Sequence, residues 1–219
     1  MQKPHQLTIY KFGGASVKDA AAIRNLRHIV ATTGAGLELL IVVSAMGKTT
    51  NALEEIFQLA YNGQEYEAAF AQVADFHRVV AAELFPDAAA APSHPVHALL
   101  EQLHDRLATL TPGDYDKQYD QIVSYGELLA TRIVAEALQA QWLDCRPLLR
   151  TDHTWREGRL DWPTTERTLR TTVPPLLQQG PVVTQGFLGA QLADKPLPWA
   201  GKAQTTRPPF WPTAWMRQQ

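Results

Sequence analysis

The 219-residue sequence has a single cysteine, Cys145. One cysteine excludes an internal disulfide and a cysteine-based metal cluster, and it fits a reducing compartment. The charge is almost balanced, with 20 Lys and Arg against 22 Asp and Glu for a net charge of −2. The chain therefore lacks the basic excess that draws proteins to nucleic acid or anionic membranes. Its Lys and Arg residues are scattered, without the aromatic-flanked patch of a nucleic-acid face. No apolar run approaches the ~20 residues that span a bilayer. Residues 1–6 lead straight into a strand-like run, without the charged and apolar regions of a secretory signal. There is no internal repeat. These absences leave a cytoplasmic globular protein as the expectation, long enough for one sizeable core.

What is present alternates. Leu7 to Phe12 is rich in β-formers and ends at Gly13 and Gly14. Ser16 is a candidate N-cap for a helix whose apolar residues Ala22, Ile23, Leu26, Ile29 and Val30 recur at helical spacing. Gly34 and Gly36 close it. Leu37 to Val43 is nearly all apolar, as in a strand buried on both faces. A polar turn from Ser44 to Asn51 follows, with Thr50 or Asn51 as N-cap and a helix from about Ala52. This βαβα order predicts an α/β fold. Helices are predicted over 65–84, 96–110 and 164–177, and over 115–141 with a break near Ser124 to Gly126. Residues 87–95 read as a loop, while 142–149 and 181–184 read as strands.

Four segments carry candidate chemistry. In Lys11 to Ser16, two glycines at a strand end let phosphate oxygens approach backbone N–H groups, and a lysine adds full positive charge. A tight turn with a surface lysine is the alternative. Gly47-Lys48-Thr49 suggests a P-loop, but that motif needs a glycine where Val42 stands. What remains is a hydroxyl-rich loop beyond a buried strand, where α/β proteins place ligands, or else a capped turn. Gly126 lies within a helical pattern at a cost of roughly 1 kcal/mol relative to alanine, which implies a kink or a close approach. Glu127 beside it points either into a cleft or to solvent. Thr184 to Gly189 is a second strand followed by a glycine turn. His94 and His97 have no carboxylate or thiol close by in sequence, so no metal site is expected.

Together these segments resemble the aspartate kinase family of the amino-acid-kinase fold. The motifs are KFGGAS (Lys11–Ser16), VVSAMGKTTN (Val42–Asn51), VSYGELLATR (Val123–Arg132) and VTQGFLG (Val183–Gly189), in the family's order and spacing. The resemblance covers about residues 7–194. It implies a three-layer α/β/α sandwich with a mainly parallel sheet, incomplete at the C-terminus. It also implies ATP with magnesium, L-aspartate as acceptor, and 4-phospho-L-aspartate as a product feeding lysine, threonine and methionine synthesis. By the same resemblance, Lys11 is catalytic and contacts the ATP phosphates. Gly13, Gly14 and Ser16 help cradle the nucleotide. Ser44 and Thr50 line the aspartate and phosphate region, Glu127 binds the substrate ammonium, and Phe187 closes the aspartate pocket. Ala15 stands where threonine is commoner. The intact family suggests a homo-oligomer. Alternatives are another amino-acid kinase or a non-catalytic binding or subunit-interaction fragment.

After Asp194 the character changes. Residues 195–219 contain no acidic residue, but crowd in three tryptophans and five prolines without helical or strand period. The family has a TTTLGR-x-GSD segment here, whose arginine holds the substrate α-carboxylate. Reading the third base of each codon with the first two of the next, from the end of the Lys195 codon, permits TTTLGREGSDYTAAILAYCMD. At Ala200, Pro212 and Met216 the shifted residue is forced by the TGG codon of the preceding tryptophan. The expectation is a frameshift near residues 194–195, a disordered out-of-frame tail, and little or no kinase activity in this chain.

Overall fold

The computed structural model describes residues 7–91, 93–151, 160–186, 188–191 and 196–198. In chain order, β1 (Leu7–Phe12) runs through a short 3-10 turn (Gly14–Val17) into α1 (Ala20–Thr33), then β2 (Glu38–Val43) and α2 (Thr49–Tyr61). There follow α3 (Glu67–Leu84), α4 (Pro86–Ala89), α5 (Pro95–Ala108), α6 (Tyr115–Val123) and α7 (Tyr125–Leu138). The remainder comprises β3 (Gln141–Leu143), β4 (Arg150–Thr151), α8 (Trp162–Leu177), β5 (Val182–Gln185), β6 (Leu188–Gln191) and β7 (Pro196–Pro198).

Four strands form a fully parallel sheet in the order β1-β2-β5-β3. The apolar run of β2 explains its central place. Leu39, Ile41 and Val43 join a core with α1, α3 and α7, while Leu40 and Val42 join another with α2, α6 and α8. Each such buried side chain contributes about 1.5–3 kcal/mol of transfer free energy, so a strand apolar on both faces must lie between helix layers. The expected α/β sandwich with a parallel sheet is what the chain forms. A second, mixed sheet joins β4, β6 and β7. No described helix is long and apolar enough to cross a membrane.

Local chemistry corrects several expected boundaries. Ser16 does not cap α1: its N–H bonds to Gly13 O at 2.9 Å inside the 3-10 turn. Asp19, in extended conformation, is the cap, its carboxylate accepting from Ala22 N–H at 2.7 Å. α2 begins at Thr49, earlier than expected, and neither Thr50 nor Asn51 caps it, since Lys48 holds the N-cap position without a side-chain bond. The expected strand over 142–149 stops at Leu143. There Asp144 turns the chain by accepting from the backbone N–H and guanidinium of Arg146. The loop predicted over 87–95 contains most of α4, with Pro86 at its first position. The long helical pattern does break at Ser124, which separates α6 from α7.

In the tail, residues 196–198 form β7, antiparallel to β6 with Leu188 opposite Pro198. That overturns, for these three residues, the expectation of no regular structure. Three residues are too few to display a period, and proline is tolerated on such an edge strand. The expected disorder of residues 199–219 lies outside the described residues.

Candidate active site

All strands of the main sheet point the same way, so β1, β2 and β5 end together, with Phe12 opposite Val43 and Val43 opposite Gln185. The loops leaving those ends are the ones singled out in the sequence. Ligands of open parallel sheets bind along this edge.

The first two loops are fastened to each other. Ser44 N–H bonds to Phe12 O at 3.0 Å, and Gly47 N–H to Gly14 O at 3.0 Å. The neighbouring glycines have different reasons to be there. A Cβ on Gly14 would lie 2.6 Å from Ala45 O, so Gly14 is needed to let the loops touch. A Cβ on Gly13 would meet nothing within 4 Å, and φ −79 and ψ 170 suit any residue. Nothing in the described protein requires a glycine at position 13; the exposed backbone there is room for something else. Lys11 is exposed two residues earlier, at the end of β1. Ser16 is exposed in the 3-10 turn.

The third segment closes on the second. At Gly126 a Cβ would come within 3.0 Å of Ala45 Cβ, 3.3 Å of Leu53 and 3.4 Å of Thr49. The glycine cost is thus offset by the close approach of α7 to the Ser44–Lys48 loop and α2. That approach buries Glu127, which is 8% exposed, so the solvent-facing alternative is excluded. Its Oε2 accepts the N–H of Gly186 at 3.1 Å, just beyond β5. The carboxylate also lies in the first turn of α7, where the helix dipole favours negative charge. Ser44 is half-buried, its Oγ 3.9 Å from where a Gly186 Cβ would stand. Thr50 is half-buried in the first turn of α2. Phe187 lies outside the described residues.

Sequence reasoning did not assign roles to the groups that hold this edge together. Gln185, almost fully buried, accepts from Cys145 N–H at 2.9 Å and donates to Thr131 Oγ1 at 3.0 Å. Trp142 Nε1–H donates to the same hydroxyl at 2.9 Å, and Arg132 stacks on the Trp142 ring 3.5 Å from its centroid. Burial pushes the Arg132 guanidinium down, against the opposing charge of Asp144. Burial pushes the Cys145 thiol far up, and the carboxylates of Glu127 and Asp144 add to the effect. Gln185 and Thr131 stand within two of the recognised motifs, but motif membership does not reveal which partner a carboxamide or hydroxyl finds. His94 does meet a carboxylate in space, Nε2 to Glu136 Oε2 at 2.8 Å, although none is near in sequence. No group of three His, Cys, Asp or Glu able to hold a metal occurs among the described residues.

The amino acid kinase family model matches residues 6–200, most of the chain. The chain belongs to the amino acid kinase family. Among its relatives, this amino acid kinase chain is 28% identical over 192 residues to lysine-sensitive aspartokinase 3 of Escherichia coli. That match covers 85% of this chain and 41% of the relative. A 53-residue stretch is 47% identical to aspartokinase of Mycobacterium tuberculosis, covering 24% of this chain and 13% of that protein. Among solved structures, E. coli aspartokinase III in complex with aspartate and ADP matches with a TM-score of 0.78 at 26% identity. The match covers 89% of this chain and 43% of that one. The chain thus spans about two fifths of the length of its E. coli relative.

Proposed function

We propose that this sheet edge is the N-terminal part of an aspartate kinase site, built to transfer the ATP γ-phosphoryl group to the side-chain carboxylate of L-aspartate. The observation that carries the reading is Glu127. It is a buried carboxylate, held by the Gly186 N–H just beyond β5, on a helix whose Gly126 packs against the Ser44–Lys48 loop. A desolvated carboxylate so placed suits an ammonium group, through a charge-assisted contact stronger than a neutral one.

The other residues then divide the work. Gly13 leaves its backbone open to phosphate oxygens, and Gly14 fixes the loop that presents it. Lys11 brings positive charge to the γ-phosphate, and Ser16 borders the nucleotide. Ser44 and Thr50 offer hydroxyls to the acceptor carboxylate and the phosphate, and Phe187 closes the pocket. Transfer itself asks mainly for alignment and charge stabilisation. Magnesium carried on the nucleotide would neutralise phosphate charge. The product is an acyl phosphate, 4-phospho-L-aspartate, an activated carboxylate for the aspartate-derived amino acids lysine, threonine and methionine. The cytoplasm is the compartment where ATP and aspartate meet.

We also propose that residues 195–219 are read out of frame. The family match ends at residue 200, a few residues past the departure. The substrate-holding arginine of the shifted reading is then missing, and turnover by this chain should be slight.

Titration calorimetry tests the first proposal and an ADP-release assay the second. The chain should bind a non-hydrolysable ATP analogue with magnesium and bind L-aspartate in preference to L-glutamate. Glu127→Gln should abolish aspartate binding and spare the nucleotide. Unchanged aspartate affinity in that variant would remove the ammonium role. Rapid aspartate-dependent ADP release by the 219-residue chain would refute the inactive-tail proposal.

A further inference from the structure

We propose that Gln185, acting through Thr131, is the positioning residue that sets the Glu127 carboxylate. The usefulness of that setting for aspartate rests on the kinase reading above; the setting itself does not.

The side chain of Gln185 has both ends committed. Its Oε1 accepts from Cys145 N–H at 2.9 Å, and its Nε2 donates to Thr131 Oγ1 at 3.0 Å. This fixes which end of the carboxamide is oxygen, since a backbone N–H must meet an acceptor. The Thr131 hydroxyl is committed in turn. It receives N–H groups from Gln185 and from Trp142, so its single proton goes to the helix backbone, where Glu127 O lies at 2.7 Å. A hydroxyl has one proton and two lone pairs, and all are used. The arrangement has one direction only: Gln185 and Trp142 donate, Thr131 relays, and the Glu127 carbonyl receives.

The consequence falls on Glu127 from two sides. The residue after Gln185 is Gly186, whose N–H holds Glu127 Oε2 at 3.1 Å. The end of β5 therefore grips Glu127 at its side chain through Gly186 and at its backbone through Gln185 and Thr131. Gln185, Thr131 and Cys145 are all buried, so water cannot replace a lost partner. Arg132 stacks on the ring of Trp142, whose indole N–H serves Thr131.

Two conservative pairs test this. Gln185→Met keeps length and removes both polar ends, whereas Gln185→Glu keeps the acceptor for Cys145 and removes the donor. Thr131→Val removes the relay at constant shape, while Thr131→Ser retains it. The readout is amide hydrogen exchange at Gly186, whose N–H bond to Glu127 reports the carboxylate's place, with the Val183 amide in the sheet as reference. Gly186 exchange should rise roughly ten-fold or more in Gln185→Met, Gln185→Glu and Thr131→Val, with Val183 changing less than about two-fold. Thr131→Ser should stay near the parent. Unaltered Gly186 exchange, or Gly186 and Val183 rising together, would reduce Gln185 to a packing residue and overturn the proposal. Should Gln185→Met fail to fold, the Thr131 pair decides alone. In calorimetry Gln185→Met, Gln185→Glu and Thr131→Val should weaken L-aspartate roughly ten-fold and leave the ATP analogue unchanged, with Thr131→Ser near the parent. If the parent binds neither the ATP analogue nor aspartate while Gly186 still responds, the kinase reading fails and the positioning role stands.

Discussion

Adding one methyl group to either of two adjacent glycines should have opposite consequences. In Gly14→Ala the new Cβ would sit 2.6 Å from Ala45 O and 3.1 Å from Gly47 O, both backbone atoms that cannot rotate away. Reaching ordinary contact requires the loops to part by about 0.8 Å, and overpacking of this kind costs about 1–3 kcal/mol. Parting them also stretches the 3.0 Å bond from Gly47 N–H to Gly14 O, worth about 1 kcal/mol. The expected loss is about 3 kcal/mol, or a fall in Tm of about 6–12 °C for a chain of this size. In Gly13→Ala the Cβ enters open space at an unstrained backbone, and stability should change by less than about 0.5 kcal/mol. Its effect should appear only with ligand: the methyl takes the phosphate's space, and affinity for the ATP analogue should drop at least about ten-fold, or ~1.4 kcal/mol. Thermal melts followed by calorimetry on the three proteins provide the assay. A Gly14→Ala variant melting within about 2 °C of the parent would refute the steric reasoning. So would Gly13→Ala being as unstable as Gly14→Ala, and undiminished nucleotide affinity in Gly13→Ala would deny the phosphate its place.

His77 gives a pH prediction. It is fully buried, donates from Nδ1 to Val73 O at 2.7 Å, and burial lowers its pKa from 6.5 to about 4. The unfolded chain therefore binds the proton first as pH falls. Stability is whole above about pH 6.5, declines toward pH 4 and then levels, a loss of about 3 kcal/mol from this group. Urea melts at pH 7 and pH 4 should show a much smaller difference in His77→Leu, and an equal difference would show that other groups carry the acid sensitivity. Cys145, buried with its pKa pushed up, should resist iodoacetamide in the folded protein and react fully in guanidinium; rapid native labelling would contradict its burial. Sequencing the gene across codons 194–217 should find bases that permit the shifted reading, and one incompatible codon would end the frameshift proposal.

The sequence exposed those features that depend on neighbours along the chain. The apolar run of β2, the glycines at strand ends and the break at Ser124 were legible because each follows from local patterning. Caps were misassigned where several polar residues competed. Ser16 and Asp19 are both good caps, and the 3-10 turn at Gly14–Val17 decided between them. Glu127 illustrates the other limit. An isolated glutamate on a helix reads as solvated, and its burial goes with the close approach of neighbouring Gly126 to Ala45 and its own bond from Gly186, both far away in sequence. The links made by Gln185 were hidden for the same reason, because a carboxamide's partners across 40 and 54 residues leave no periodic trace.

The strand order also sets a timetable. β5 lies between β2 and β3 but follows both in the chain. As the polypeptide emerges from the ribosome, β2 offers an unfilled row of backbone groups on that side, and β3 has no sheet to join. Both wait for residues 182–185. The same residues deliver Gln185, and the next brings Gly186 to Glu127 across 59 positions. Completion of the sheet and completion of the ligand edge are thus one late event, governed by long-range pairing that is intrinsically slow. Until it happens, the nascent chain carries an open parallel edge, the kind of surface that chaperones cover and aggregates recruit.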